Sequence, residues 1–411
     1  MAHDDRVTAT ASGRLGRLVR EAGAGVRGTP EAPEERALWR RLGEPERCLD
    51  LRDDGETVGT AGAYSFRLTV PGGAVLPVAG ITLVSVQPTH RRRGLLRAMM
   101  RRQLADVRDR GEALAVLTAS EPAIYGRFGY GAASEAVSLS LDTLRQSVRV
   151  PEGADAVRLR LVDPEAGLAD CEKVYEQLVP GRPGMLARQP GWERLPLLDP
   201  EADRDGAGPL LCVLAEVAGE VRGYARYAVK AGWDGGGPDG TVVLRDVEAL
   251  DPVVYAALWR YLFGIDLTSR LTVRNRPADD PLLHLVDDMR RCRIGVRESL
   301  FVRLVEAGEA LAARTYAAPL DVVLDVADPF CPWNEGRWRL TGDEKGASCE
   351  RTADPADLAL TVRELGAAYL GGFTLDALAA AGRVRELRPG ALREASVAFG
   401  AYRKPWLPHG F

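Results

Sequence analysis

The sequence predicts a mixed α/β (α+β) fold of two tandem, similar mixed-sheet domains followed by a smaller α+β domain, and three observations predict it. Residues 49–141 run as alternating strands, one amphipathic helix and a continuous apolar strand. The same order of strands and helices restarts at Val157 and runs to Arg274, which reads as an internal duplication at domain length. From about Leu304 the pattern changes to short alternating segments followed by alanine-rich helical ones. With 411 residues the chain has room for two or three domains, and the expected division is 1–150, 151–303 and 304–411.

In chain order, the first forty residues mix Gly, Pro, Arg and Glu, with a helical pattern over Glu34 to Leu42 that would bury Leu38, Trp39 and Leu42. CLDLRDDG and TVGTAGAYSFRLTV alternate as strands do and are separated by the turn DDGE. Pro71, Gly72 and Gly73 interrupt the run, and LPVAGITLVSV completes an antiparallel meander. After Val86 the period becomes helical: Leu95, Leu96, Met99, Met100 and Leu104 form one stripe, and Gly111 ends it. ALAVLTA has the unbroken apolar character of a parallel strand buried on both faces. Ser120 stands where an N-cap belongs, with Glu121 and Pro122 in the first turn of a short helix. Strands around Tyr130 and over Val137 to Leu141 are expected to close the domain near residue 150.

The second passage repeats the scheme: RLRLV, a helix over Asp170 to Leu178, LLCVLAEV, the turn Ala218-Gly219-Glu220, VRGYARYAV, a glycine loop over 232–240, TVVLRDVEAL, a helix from Asp251 to Phe263, and LTVR. In the third, VVLDVAD, GRWRLTG and CERTADPADLALTV read as a small sheet. ELGAAYLGG and TLDALAAAG read as helices, and the apolar stretch ASVAFGAYRKPWLPHGF comes last.

Bulk properties exclude several function classes. With 54 basic and 58 acidic residues the net charge is −4, so a nucleic acid or other polyanion is not an expected partner. The six cysteines are dispersed, which gives neither a zinc signature nor a secreted disulfide framework. Four histidines make a histidine-rich metal site improbable, and no metal is expected. No segment has the length and apolarity of a signal h-region or a bilayer span, so a soluble cytoplasmic protein is the default expectation.

The chemistry concentrates in residues 81–131. A strand, an arginine turn (Arg91, Arg92, Arg93), Gly94 and a helix follow one another. The first amides of a helix have no intrahelical partner and sit at the positive end of its dipole, so such a turn can hold a diphosphate. Glycine allows close backbone approach, and arginine adds charge-assisted hydrogen bonds. This stretch resembles the acetyl-CoA site of the GNAT N-acetyltransferase superfamily. THRRRGLLRAM at Thr89 to Met99, ASE at Ala119 to Glu121 and IYGRFGYG at Ile124 to Gly131 resemble motifs of its Eis (enhanced intracellular survival) family.

The resemblance implies two GNAT-like domains followed by a sterol-carrier-protein-like domain, acetyl-CoA as cosubstrate, and amines such as aminoglycosides or lysine side chains as acceptors. It implies a hexamer as well. It assigns Val84, Ser85 and Val86 to pantetheine and the acetyl carbonyl, and Arg92, Arg93, Gly94, Leu95, Leu96 and Arg97 to the pyrophosphate; Ser120 and Glu121 are counted with them as cofactor-binding residues. Leu96 departs from the pattern, since a small residue is usual there. Tyr125 takes the place of the general acid that protonates the CoA thiolate, a task suited to a phenol of pKa near 10. The terminal carboxylate, here that of Phe411, takes the place of the general base. Trp406, Leu407, Pro408 and Phe411 make this tail too apolar for a solvated end. His90 is expected to face solvent or phosphate and Tyr130 to belong to the core.

The equivalent passage of the second domain, Ala249-Leu250-Asp251-Pro252, has neither arginine cluster nor glycine, and an aspartate there repels phosphate. No CoA binding is expected in that domain, and its 232–240 loop reads as a hairpin rather than a metal or phosphate site. Leu375 and Leu378 in the third domain suit either a lipid tunnel or, more simply, a core. The alternative to an enzyme is a non-catalytic lipid-carrier or scaffold protein with relic GNAT modules.

Overall fold

The computed structural model describes residues 8–11 and 32–411. The first residues of the chain, with the reading that they contain no signal segment, lie mostly outside that range. The chain divides into two compact units: one holds residues 1–134, 182–187 and 298–411, the other 135–181 and 188–297.

In the first unit, helix α1 (Pro33–Leu42) starts with Pro33 in its first turn, carries Glu34 and Glu35 at the N-terminal end of its dipole, and ends with Arg40 and Arg41. It buries Leu38 and Leu42, while Trp39 is half-buried and stacks on Tyr64 with ring centroids 6.3 Å apart. The strands β1 (Thr8–Ala11), β2 (Leu49–Asp53), β3 (Glu56–Thr69) and β4 (Val75–Val86) pair antiparallel in sequence order. Helix α2 (Leu95–Asp109) then crosses over, and β5 (Leu114–Thr118) joins parallel to β4. The stripe read from the sequence faces the sheet, with Met99 and Met100 fully buried and Leu96 half-buried.

Beyond β5 the sheet contains a strand the sequence did not place. Leu300–Leu304 pairs along the whole length of β5, and Gly131–Ala132 pairs outside it. The strand expected to close this sheet, Glu135–Asp142, instead pairs with Thr268–Arg276 in the second unit. Both segments are apolar at alternate positions and suit either sheet, so local pattern cannot choose between them. A second, five-stranded sheet in this unit is made by Leu320–Ala327, Gly336–Asp343, Gly346–Arg351, Leu358–Thr361 and Val384–Glu386. Leu375 and Leu378 are buried on the helix Leu375–Ala380, as core residues.

The second unit repeats the plan with a seven-stranded sheet. Its crossover helix Pro252–Phe263 begins as the sequence suggests, Asp251 accepting a hydrogen bond from the Val254 amide at 3.0 Å and Pro252 following. The 232–240 loop is a short hairpin whose Asp234 accepts from the Gly236 amide at 2.7 Å.

Beneath that helix Arg276 donates to Asp280 at 2.6 Å and to Glu248 at 3.3 Å, all three buried. Burial outweighs the Arg276 guanidinium and pushes the Glu248 carboxyl from 4.5 up to about 7. A carboxyl raised in the folded state contributes stability that is complete below its unfolded pKa and is lost as pH rises through about 7. Glu248→Gln should therefore gain on wild type, by on the order of 3 kcal/mol, between pH 5 and pH 8. Thermal unfolding of both proteins across that range is the measurement, and a pH-independent difference would remove Glu248 from the account.

Candidate functional site

The site is built where β4 and β5 part. They pair only at Ala79 with Ala115 and Gly80 with Val116, although β4 runs on to Val86 and β5 to Thr118. Past Gly80, β5 follows Leu300–Leu304 and β4 follows β3, so a wedge opens between two parallel strands. Val84, Ser85 and Val86 lie half-buried along its β4 side. The departure is reinforced by a bulge: Leu83 sits at φ 54°, its carbonyl accepts a 2.7 Å hydrogen bond from the Thr60 hydroxyl, and that hydroxyl lies 2.9 Å from Ser85 Oγ. Thr60 had no signal in the sequence beyond its place in a strand.

At the wide end, Pro88–His90 forms one tight turn and the chain reaches α2 through Arg92 at φ 63° and Gly94 at φ 83°. The first intrahelical bond runs from the Ala98 amide to the Gly94 carbonyl, leaving the amides of Leu95, Leu96 and Arg97 at the helix end for an anion. Arg92 and Arg97 are exposed there. Arg93 is tied back, 3.7 Å from Asp53. His90 has both ring nitrogens occupied, Nε2 3.1 Å from Asp53 and Nδ1 2.8 Å from the Thr89 hydroxyl, so it braces the turn against β2.

On the other side, β5 leads into the short helix α3 (Pro122–Tyr125). Its N-cap is Glu121, not Ser120 as the sequence suggested, and no side chain caps it. Pro122 takes the first helical position, which forces the residue before it into an extended conformation and leaves Ser120 outside. Ser120 and Glu121 are exposed at the end of β5. Tyr125, half-buried, meets the buried Tyr130 edge to face, with centroids 6.0 Å apart. Burial, and then the nearby Glu121 carboxylate, raise the Tyr125 phenol above 10 and keep its proton in place at neutral pH.

The C-terminal tail reaches the vertex of the wedge. A side-chain carbon added to Gly80 would lie 2.4 Å from the Phe66 ring and 3.2 Å from the Phe411 ring, so a glycine at the last paired position admits the end of the chain. Phe66 and Phe411 pack edge to face at 4.9 Å, and Phe66 continues to Tyr64 at 5.7 Å. Upstream, Trp406 and Leu407 are buried. The Trp406 amide donates to the Pro183 carbonyl at 2.9 Å, and Arg182 donates to the Lys404 carbonyl at 2.7 Å. Residues 182–187, which hold this tail, are themselves fixed by pairing of Leu186–Ala187 with β3. Sequence reading missed this brace and Gly80 alike, although a glycine inside the strand LPVAGITLVSV was a cue.

In the second unit the corresponding parallel strands are paired at five positions, Gly240 with Thr268 through Leu244 with Val273, and beyond these they too part, running on to Ala249 and Arg276. Asp251 occupies the end of the following helix and lies 3.2 Å from Arg222. Among the described residues no cluster of His, Cys, Asp or Glu is arranged to hold a metal, and no helix is long and apolar enough to cross a membrane.

Comparison with known proteins agrees with the duplicated geometry. Residues 18–133 and 184–304 each match an acetyltransferase (GNAT) domain, and residues 307–408 match a sterol carrier protein domain. The N-acetyltransferase Eis of Mycobacterium tuberculosis is 35% identical over 387 residues, 90% of either chain. The chain belongs to the Eis family of GNAT N-acetyltransferases. An uncharacterized N-acetyltransferase of Streptomyces avermitilis is 64% identical over 93% of this chain and 94% of its own. The crystal structure of Eis1 from Mycobacterium abscessus superposes with a TM-score of 0.84 at 34% identity, covering 98% of this chain and all of that one. This Eis-family chain is thus an acyltransferase with two GNAT domains and a sterol-carrier domain, as the sequence predicts.

Proposed function

We propose that this Eis-family protein transfers the acetyl group of acetyl-CoA directly to amino groups of the aminoglycoside, polyamine or lysine type. The observation that carries this reading is the wedge itself, with the first amides of α2 at its mouth and the Phe411 ring at its vertex. The diphosphate rests on the amides of Gly94 to Arg97 with Arg92 and Arg97 beside it and Arg93, held by Asp53, adding its charge from behind the turn, and the pantetheine runs along Val84 to Val86 as a strand between the parted strands. Ser120 and Glu121 border the same channel. The amine nitrogen attacks the thioester carbon, polarised by β4 amides, and the C–S bond breaks as the tetrahedral intermediate collapses. The Phe411 carboxylate takes the ammonium proton, directly or through water, and Tyr125 gives its proton to the departing thiolate.

The first domain alone holds CoA in this proposal, because the second has no arginine-glycine turn and sets Asp251 at the end of its crossover helix, where a carboxylate repels phosphate. Calorimetry with acetyl-CoA should show one site per chain. The test of the reaction is a thiol-release assay with acetyl-CoA against aminoglycosides, polyamines and lysine peptides. Release with at least one amine is expected, and none with any would overturn the reading. Arg92→Ala should raise the acetyl-CoA KM about tenfold with kcat unchanged, because a charge-assisted phosphate contact is uniform binding worth about 1.5 kcal/mol. A changed kcat at saturation would place Arg92 in the chemistry instead.

A further inference from the structure

The turn that carries Tyr125 continues as Gly126-Arg127-Phe128-Gly129-Tyr130-Gly131, with three glycines in six residues. Only Gly129 needs a left-handed conformation, at φ 85°. The other two are explained by what lies against them. A side-chain carbon on Gly131 would come within 2.1 Å of the Arg363 carbonyl and 2.4 Å of the Ala367 amide. One on Gly126 would come within 2.8 Å of the Arg363 guanidinium, and one on Gly129 within 2.8 Å of Val362. These neighbours belong to one helix, Val362–Ala368, in the sterol-carrier domain, and Gly129 is faced as closely, at 2.9 Å, by the buried Arg303 guanidinium. The approach is equally tight from the helix side: a side-chain carbon on Gly366 would lie 2.3 Å from the Val302 carbonyl and 3.2 Å from the Gly131 amide.

The helix is itself held rigidly. Thr361 and Glu364 form a reciprocal capping box at its start, and Glu364 is paired with Arg383 at 2.6 Å. Val362, Leu365 and Ala368 are buried. The tyrosine turn is closed at its far end by the Tyr130 amide, which donates to the Tyr125 carbonyl at 3.3 Å. A rigid helix therefore lies backbone to backbone against a turn one residue after the candidate acid. Arg363, exposed on that helix, lays its guanidinium against Gly126.

We propose that the helix Val362–Ala368 is the seat of the Tyr125 turn, and that Gly366 and Arg363 are positioning residues that set where the phenol stands in the wedge. The inference rests on the reading of Tyr125 as the acid and extends it. The third domain then serves the reaction at two points, through its C-terminus and through this helix. Gly366→Ala forces backbone away from backbone, because neither the Val302 carbonyl nor the Gly131 amide can rotate aside. Arg363→Ala removes only an exposed side chain and leaves folding intact.

The test compares kcat and acetyl-CoA affinity for Gly366→Ala and Arg363→Ala, each alone and combined with Tyr125→Phe. Each single variant should lower kcat about tenfold or more, since displacement of a reacting group by about 1 Å can cost up to about 100-fold, while acetyl-CoA affinity holds. Combined with Tyr125→Phe, neither should cost anything further, because both act through the phenol. Arg363→Lys should recover part of the Arg363→Ala loss. Losses that multiply with Tyr125→Phe, or unchanged kcat in both single variants, would overturn the proposal. Crystal structures of wild type and Gly366→Ala read the seat without turnover: a displaced 125–131 turn supports it and an unmoved one refutes it. Absence of CoA release by wild type would count against acetyl transfer and leave that structural comparison standing.

Discussion

Deleting Phe411 alone should lower kcat by about 100- to 1,000-fold while acetyl-CoA affinity stays within about twofold, because a positioned general base contributes roughly that factor. The tail is anchored before its end: Trp406 and Leu407 are buried, and the Trp406 amide is hydrogen-bonded to Pro183. Loss of the final residue therefore leaves the fold intact and moves the carboxylate back to Gly410, a displacement of about 3.5 Å along an extended chain. It also removes the ring that packs on Phe66 at 4.9 Å beside Gly80. A short extension beyond Phe411 tests the charge separately, since it turns the carboxylate into an amide without deleting the ring. Phe411→Leu keeps the carboxylate and loses the aromatic contact, so it should fall between. Steady-state CoA release and calorimetry with acetyl-CoA separate the two quantities, and a deletion that turns over like wild type would place the base elsewhere. Gly80→Ala bears on the same geometry from below, because its new carbon contests the space of both rings.

How much of this was legible before the structure follows the range of the interactions involved. The arginine turn, the glycine that starts α2, the stripe Leu95, Met99, Met100 and Leu104, and the capped helix after Asp251 are local signals, and all fold as read. The wedge is not local. Nothing in ITLVSV or ALAVLTA says that the strands meet at Gly80 and part beyond it; that follows from β5 keeping register with Leu300–Leu304 on its other edge while β4 keeps register with β3. The same long-range pairing explains why Glu135–Asp142 crosses to the second sheet although its alternation would fit the first. Ser120 was misjudged for a local reason of the opposite kind, since Pro122 overrides the better capping side chain one residue earlier. The glycines of the tyrosine turn were visible as a motif, but their cause lies more than 200 residues away, in Gly366 and its helix. Residue spacing reveals chemistry carried by one element, whereas a site assembled from three distant segments shows only its separate parts.

Tyr125→Phe is the second large effect expected, a fall in kcat of about 100-fold with the acetyl-CoA KM unchanged. The low end of the range for a general acid applies because a thiolate, of ordinary pKa near 8.5, leaves more readily than an alkoxide. The environment keeps the phenol in its acid form: burial disfavours the phenolate, and the Glu121 carboxylate repels it further, so its pKa is raised above 10. A raised pKa means the acid is loaded throughout the neutral range and is lost only on the alkaline side. Wild-type kcat should accordingly show no loss of the acid across the neutral range, and a decline only on the alkaline side. Glu121→Gln withdraws one of the two raising influences without touching the phenol, so the alkaline decline should begin at lower pH. Tyr125→Phe should show no such decline, since it has no proton there to lose. Profiles of kcat against pH for the three proteins decide the assignment. A Glu121→Gln profile identical to wild type would mean that the carboxylate does not act on the acid, and a Tyr125→Phe protein retaining the alkaline limb would transfer that limb, and the proton, to another group.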